Sequence, residues 1–149
     1  VFETGSKIFI YDGFIKKPDN DKIYGKEYYD IICKQLPQYE YIFSSDLNLS
    51  YERMPDIYAE CFIGLRLTSN DGNANTVQEM ESMMIPVIHN HSDYGLKWDT
   101  VDDILKHINN NLFSIQNLIN KYNNNMIITY FTNKKITLFM NLRMETTNI

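Results

Sequence analysis

Residues Cys61–Thr68 read CFIGLRLT, a nearly continuous apolar run without alternation of polar and apolar positions. A strand with one face in water alternates, whereas an unbroken run of this length suits a strand covered on both faces, as in a parallel sheet. A parallel sheet in turn requires crossover connections, so helical segments must lie between the strands. The chain supplies them in order.

Lys7–Tyr11, KIFIY, reads as a short buried strand closed by the turn signal Asp12-Gly13, and polar residues around Pro18–Lys22 form a loop. Tyr24–Leu36 places Tyr28, Ile31, Ile32 and Leu36 at helical spacing and stops before Pro37. A second strand is expected at Tyr39–Ser44, and a short helix at Tyr51–Glu60 with Met54, Ile57 and Tyr58 on one face. After the Cys61–Thr68 strand come a polar loop, Ser69–Asn75, a helix over Thr76–Met84, and a fourth strand at Pro86–His89, PVIH. From Thr100 the pattern is helical, with Val101, Ile104, Leu105 and Ile108 as the apolar face, and it continues through Leu112–Tyr122. Met126–Met140 fits helix or strand by pattern; a helix is expected, because an α/β domain usually finishes by packing one against its sheet. The alternation implies an α/β fold, a Rossmann-like doubly wound parallel sheet with helices on both faces.

The length of 149 residues suits a single domain over 1–149, whose core needs no disulfide or metal staple. Eleven Lys and three Arg against 19 acidic residues leave a net charge of −5, which argues against non-specific nucleic-acid binding. A small anionic ligand held locally remains compatible with that charge. Cys33 and Cys61 sit in apolar segments without metal-type spacing and are expected to be reduced thiols of a cytoplasmic protein. No apolar stretch is long enough to span a membrane, and no export signal is recognisable. Asn occurs 17 times, scattered rather than repeated, as expected from codon bias in an AT-rich genome. Val1 in place of Met suggests a domain cut from a longer chain.

In an open parallel sheet, ligands bind outside the carboxyl ends of the strands. The third strand leads into Ser69-Asn70-Asp71-Gly72-Asn73-Ala74-Asn75, and the helix beginning at Thr76 follows at once. A helix N-terminus offers unpaired amides and a positive partial charge, and Gly72 and Ala74 let the backbone approach a phosphate. Neither the Walker A pattern nor G-x-G-x-x-G is present, so ordinary P-loop or dinucleotide chemistry is not expected. Arg66, inside the apolar run, has two readings: an ion pair with a core carboxylate such as Glu79 or Glu60, or a fork for diphosphate oxygens. Glu79 also has two. Thr76-Val77-Gln78-Glu79 fits a capping box, and a first-turn carboxylate is equally a bidentate acceptor for the paired hydroxyls of a ribose. His89 and His91 share a face of an extended segment, but no third ligand has convincing spacing, Asp93 being nearest, so no metal is expected. Tyr24, Tyr28 and Tyr29 are read as core or rim residues, and His107 as a surface residue.

The segment from Ile57 to Asn90, IYAECFIGLRLTSNDGNANTVQEMESMMIPVIHN, resembles the donor-binding half of GT-B glycosyltransferases of the family-4, group 1 type. Members carry a Glu, seven residues and a second Glu, then a short helix and a Pro-Val-Ile strand. Here Asp71-Gly72 stands at the first Glu and its Gly, Glu79 stands at the second, and Pro86-Val87-Ile88 follows at matching distance. The close match spans about a quarter of the chain. The resemblance implies that Glu79 binds the ribose hydroxyls of a nucleotide-diphospho sugar and that Asp71 contacts the donor sugar. It also implies that the backbone from Gly72 through Asn73, Ala74 and Asn75 to Thr76 surrounds sugar and diphosphate. Asp71 and Glu79 are thus the catalytic candidates, and transfer would be retaining and need no metal or other cofactor.

Two features depart from the family pattern. Asp71 is one methylene shorter than Glu, and the region after the first strand, YDGFIKKPDNDK, has no Arg, so Lys16, Lys17 and Arg66 are the candidates for the diphosphate. The expected function is the donor-binding domain of a glycosyltransferase, one half of a GT-B architecture, whose N-terminal acceptor-binding domain is absent from this chain. The alternative is a non-catalytic Rossmann-like interaction or nucleotide-binding module.

Overall fold

The structure is a computed structural model that describes residues 5–69, 74–91 and 95–111. Four strands form one all-parallel sheet: β1 (Lys7–Ile10), β2 (Tyr41–Phe43), β3 (Cys61–Leu65) and β4 (Val87–Ile88). Between them lie helices α1 (Lys26–Gln35), α2 (Met54–Ala59) and α3 (Asn75–Ser82), and residues 101–111 are helical after β4. The sheet order is β2-β1-β3-β4, all pairs parallel. The chain therefore grows from β1 to β2 in one direction, then returns past β1 to lay down β3 and β4 in the other. That reversal defines a topological switch point between β1 and β3, as in doubly wound Rossmann-like sheets.

The apolar runs divide between two layers. On one face Phe9, Val77, Met80, Ile85 and Val87 pack with Tyr58, under α2 and α3. On the other, Ile8, Ile10, Leu65 and Ile88 meet Tyr29 and Ile32 of α1 and Ile104 and Ile108 of the last helix. The alternation within β1 follows from the two-residue period of a strand. In β3 the register shifts, Lys7 facing Cys61 but Ile8 facing Ile63, so Phe62 is the extra residue of a bulge. That bulge sends both Phe62 and Ile63 into the α1 layer. Gly64 then turns to the other layer, where a Cβ would stand 2.7 Å from Met80 Sδ. The missing side chain lets α3 lie close on β3, which fixes the height of Glu79.

The element order matches the expectation, and the boundaries differ for local reasons. α1 begins after Gly25, which caps it in the left-handed conformation (φ 73°) with Leu67 O only 2.7 Å from where a Cβ would be. The expected helix over Tyr51–Glu60 divides into a 3-10 turn, Tyr51–Arg53, and α2, with Pro55 in its first turn. The expected capping box is corrected. α3 starts one residue earlier, with Ala74 as its N-cap and no side-chain cap bond, so Thr76 is already inside the helix. A reciprocal cap occurs instead before the last helix, where Asp103 accepts from the Thr100 amide at 2.9 Å and Thr100 Oγ1 accepts from the Asp103 amide at 3.3 Å. The helices expected over Leu112–Tyr122 and Met126–Met140 lie outside the described residues. Among the described residues, no helix is long and apolar enough to cross a membrane.

Candidate functional site

The carboxyl ends of β1 and β3 stay joined where an open sheet normally begins to part. The Tyr11 amide donates to Leu65 O at 2.9 Å, and one step further a side chain takes over the ladder. The hydroxyl of Tyr29, buried on α1, donates to Tyr11 O at 3.0 Å and accepts from the Leu67 amide at 3.1 Å. Burial pushes its ionisation well above the ordinary tyrosine range, so it stays a neutral donor. Arg66, 8 % exposed, holds its guanidinium 3.6 Å from the Tyr11 ring centroid. A cation held over an aromatic face at that distance gains electrostatic and stacking energy. Of the carboxylates considered for Arg66, Glu60 pairs with Lys7 at 2.6 Å and Glu79 is engaged by hydroxyls.

Glu79 lies on α3 and faces the loop and helix that precede β3. Tyr51 donates its phenol to Oε1 at 2.5 Å, and Tyr58 donates to Oε2 at 2.9 Å. Each carboxylate oxygen thus holds one hydroxyl. Tyr58 is 2 % exposed and stacks edge-on against Phe9 at 5.3 Å. Burial first, and then the Glu79 carboxylate, hold its phenol far above the usual range, while a hydrogen bond from Thr76 opposes that rise. Tyr51 is 66 % exposed, and its phenol is raised chiefly by the hydrogen bond to Glu79.

A second polar cluster closes the carboxyl ends of β1 and β2. Asp12, 3 % exposed, accepts from Ser44 Oγ at 2.9 Å and the Ser45 amide at 2.8 Å on one oxygen, and from Ser45 Oγ at 2.6 Å on the other. Its own amide donates to Ser44 Oγ at 3.1 Å. Just beyond, Lys16 is tied to Asp46 at 2.6 Å, and the Lys17 ammonium sits 4.5 Å above the Phe14 ring. Both lysines line an open cleft of about 610 Å³ together with Lys22, Asp19 and Asp21.

The histidines after β4 diverge. His91 Nε2 reaches Thr68, in the segment that follows β3, 2.7 Å from its carbonyl oxygen and 3.1 Å from Oγ1. His89 is buried, with Nε2 3.8 Å from Glu81 Oε1, and Gly95 (φ 97°) covers it so closely that a Cβ would overlap the ring. No group of metal-ligating side chains occurs among the described residues. His107 donates from Nε2 to Lys97 O at 2.6 Å.

Of the residues expected to form a site, the structure places Arg66 at the switch point, Glu79 on α3 under two phenols, and Lys16 and Lys17 at the separate cleft. Ala74 is the buried N-cap, Asn75 the exposed first residue of α3, and Thr76 a partner of Tyr58. Asp71, Gly72 and Asn73 lie outside the described residues, as does Asp93. Tyr11, Tyr29, Tyr51, Tyr58 and Asp12 are the participants that sequence reasoning missed. The one available signal was that Tyr58, on an apolar helical face, carries a hydroxyl that must find a partner when buried. No known protein family, curated protein or solved structure matches this chain.

Proposed function

We propose that this chain is the donor-binding domain of a glycosyltransferase, moving a sugar from a nucleotide-diphospho sugar to an acceptor with retention of configuration. The observation that carries the reading is the carboxylate of Glu79, which accepts one hydroxyl on each oxygen. A ribose hydroxyl is a donor of that same chemistry. Further support comes from Arg66 at the switch point, where a diphosphate would lie. The first turn of α3 adds amides that carry no side-chain cap.

In this reading the chain acts by electrostatics. Glu79 orients the nucleoside, and Arg66 and the α3 N-terminus stabilise the diphosphate as the glycosidic bond breaks. Asp71 contacts the donor sugar. An acceptor-binding domain is the partner that completes the reaction, and no metal or other cofactor is required. Cys33 and Cys61, which form no disulfide, suit a cytoplasmic setting.

A second reading, a non-catalytic Rossmann-like interaction module, is favoured by the engagement of Lys16 by Asp46 and of Glu79 by two phenols. Calorimetry with uridine, guanosine and adenosine diphosphates and their sugar conjugates at millimolar concentration separates the two. The donor-site reading expects heat with at least one ligand and its loss in Glu79→Ala; silence across the series favours the interaction module. The transferase assignment is tested by sugar transfer to an acceptor by this domain joined to its acceptor domain, and hydrolysis or epimerisation of the ligand instead would refute it.

A further inference from the structure

Glu79 holds two hydroxyl partners that differ in everything except the bond they make. Tyr58 is inside the core, edge-on to Phe9, and cannot leave without opening the layer between α2 and the sheet. Tyr51 is two-thirds exposed, and its 3-10 turn has no side-chain cap; backbone bonds close it from the Arg53 amide to Ser50 O at 3.0 Å and from the Met54 amide to Tyr51 O. Residues 47–50 ahead of it form no helix or strand, and Leu49 is exposed.

We propose that Tyr51 is the exchangeable partner of Glu79, a built-in competitor whose phenol holds the carboxylate oxygen that a ligand hydroxyl takes over. The inference rests on Glu79 being the hydroxyl acceptor for a nucleotide ligand, as argued above. Replacing a phenol O–H by a ligand O–H keeps the hydrogen-bond count at Glu79 unchanged and returns Tyr51 to water. The carboxylate is therefore never left bare in the empty protein, and binding is weakened by the fraction of molecules in which Tyr51 is in place. Tyr58 stays throughout as the positioning residue that aims the carboxylate.

The test compares dissociation constants for uridine, guanosine and adenosine diphosphates, measured by calorimetry on the whole chain and on Tyr51→Phe, Tyr58→Phe and Glu79→Ala. Tyr51→Phe should bind about three- to tenfold more tightly, because the competitor is gone while the ring remains. Tyr58→Phe should show no such gain, and Glu79→Ala should not bind. If the unaltered chain binds and Glu79→Ala does not, but Tyr51→Phe is unchanged or weaker, the exchange is wrong and the donor-site reading stands. If neither the unaltered chain nor Tyr51→Phe binds, or if Glu79→Ala binds as well as the unaltered chain, both are wrong.

Discussion

Asp12 and Glu79 are two carboxylates satisfied in opposite ways. Asp12 is sealed: it accepts from Ser44 and Ser45 through two hydroxyls and a backbone amide, all contributed by the chain just after β2. Among the described residues, the Glu79 carboxylate accepts from two phenols, and one of them stands in water. A buried carboxylate satisfied by backbone and short side chains has no donor to give up without unfolding its loop. One satisfied by a long exposed side chain can trade that donor for another. Under the proposed function, the β1–β2 end of the sheet serves stability and the α3 side serves binding.

Asp12→Ala should produce the largest change, a loss of about 2–4 kcal/mol in urea unfolding, because three donors around a buried site lose their acceptor. A loss below about 1 kcal/mol would break the contrast, since typical hydrogen bonds of exposed loops contribute no more than that. Tyr58→Phe should cost about 1–2 kcal/mol by stripping a half-buried carboxylate oxygen of its donor. Tyr51→Phe should stay within about 0.5 kcal/mol of the unaltered protein, as surface substitutions do. Equal effects from the two tyrosine substitutions would mean that Glu79 has no exchangeable side.

A third carboxylate sharpens the scale. Asp103 is partly exposed, and its acidity is increased first by the amides of Asp99 and Thr100 and then by the Thr100 hydroxyl. A carboxylate with a depressed folded pKa lends stability above its unfolded value that disappears as pH falls through the folded one. Thermal unfolding of Asp103→Asn should therefore match the unaltered protein at low pH, below the ordinary aspartate range, and lag slightly behind it at neutral pH. A gap that widened on acidification would have the wrong sign.

The strands and the order of the elements were legible because burial on both faces writes itself into a sequence as an unbroken apolar run. CFIGLRLT announced a parallel strand, and the helical spacing of Tyr28, Ile32 and Leu36 announced the layer that covers it. Arg66 was legible as a buried charge near a strand end, though its seat over Tyr11 was not. Glu79 was singled out, but the capping box was wrong: Ala74 takes the cap, and the donors that reach the carboxylate come from 21 and 28 residues upstream. Such pairings have no local signature. The hydroxyl of Tyr29, which spans β1 and β3, escaped notice for the same reason. Periodicity reports which face a ring occupies and nothing about the polar atom at its tip.

The contrast between the two carboxylates can be read in one experiment, by carbon-detected NMR of the side-chain carboxyl groups during titration with a uridine diphosphate sugar and its guanosine and adenosine counterparts. If Glu79 is the exchangeable acceptor, its Cδ resonance moves saturably with at least one of these ligands while the Asp12 Cγ resonance stays in place. A stationary Glu79 across the whole series, or an Asp12 that moves in its stead, would contradict that assignment.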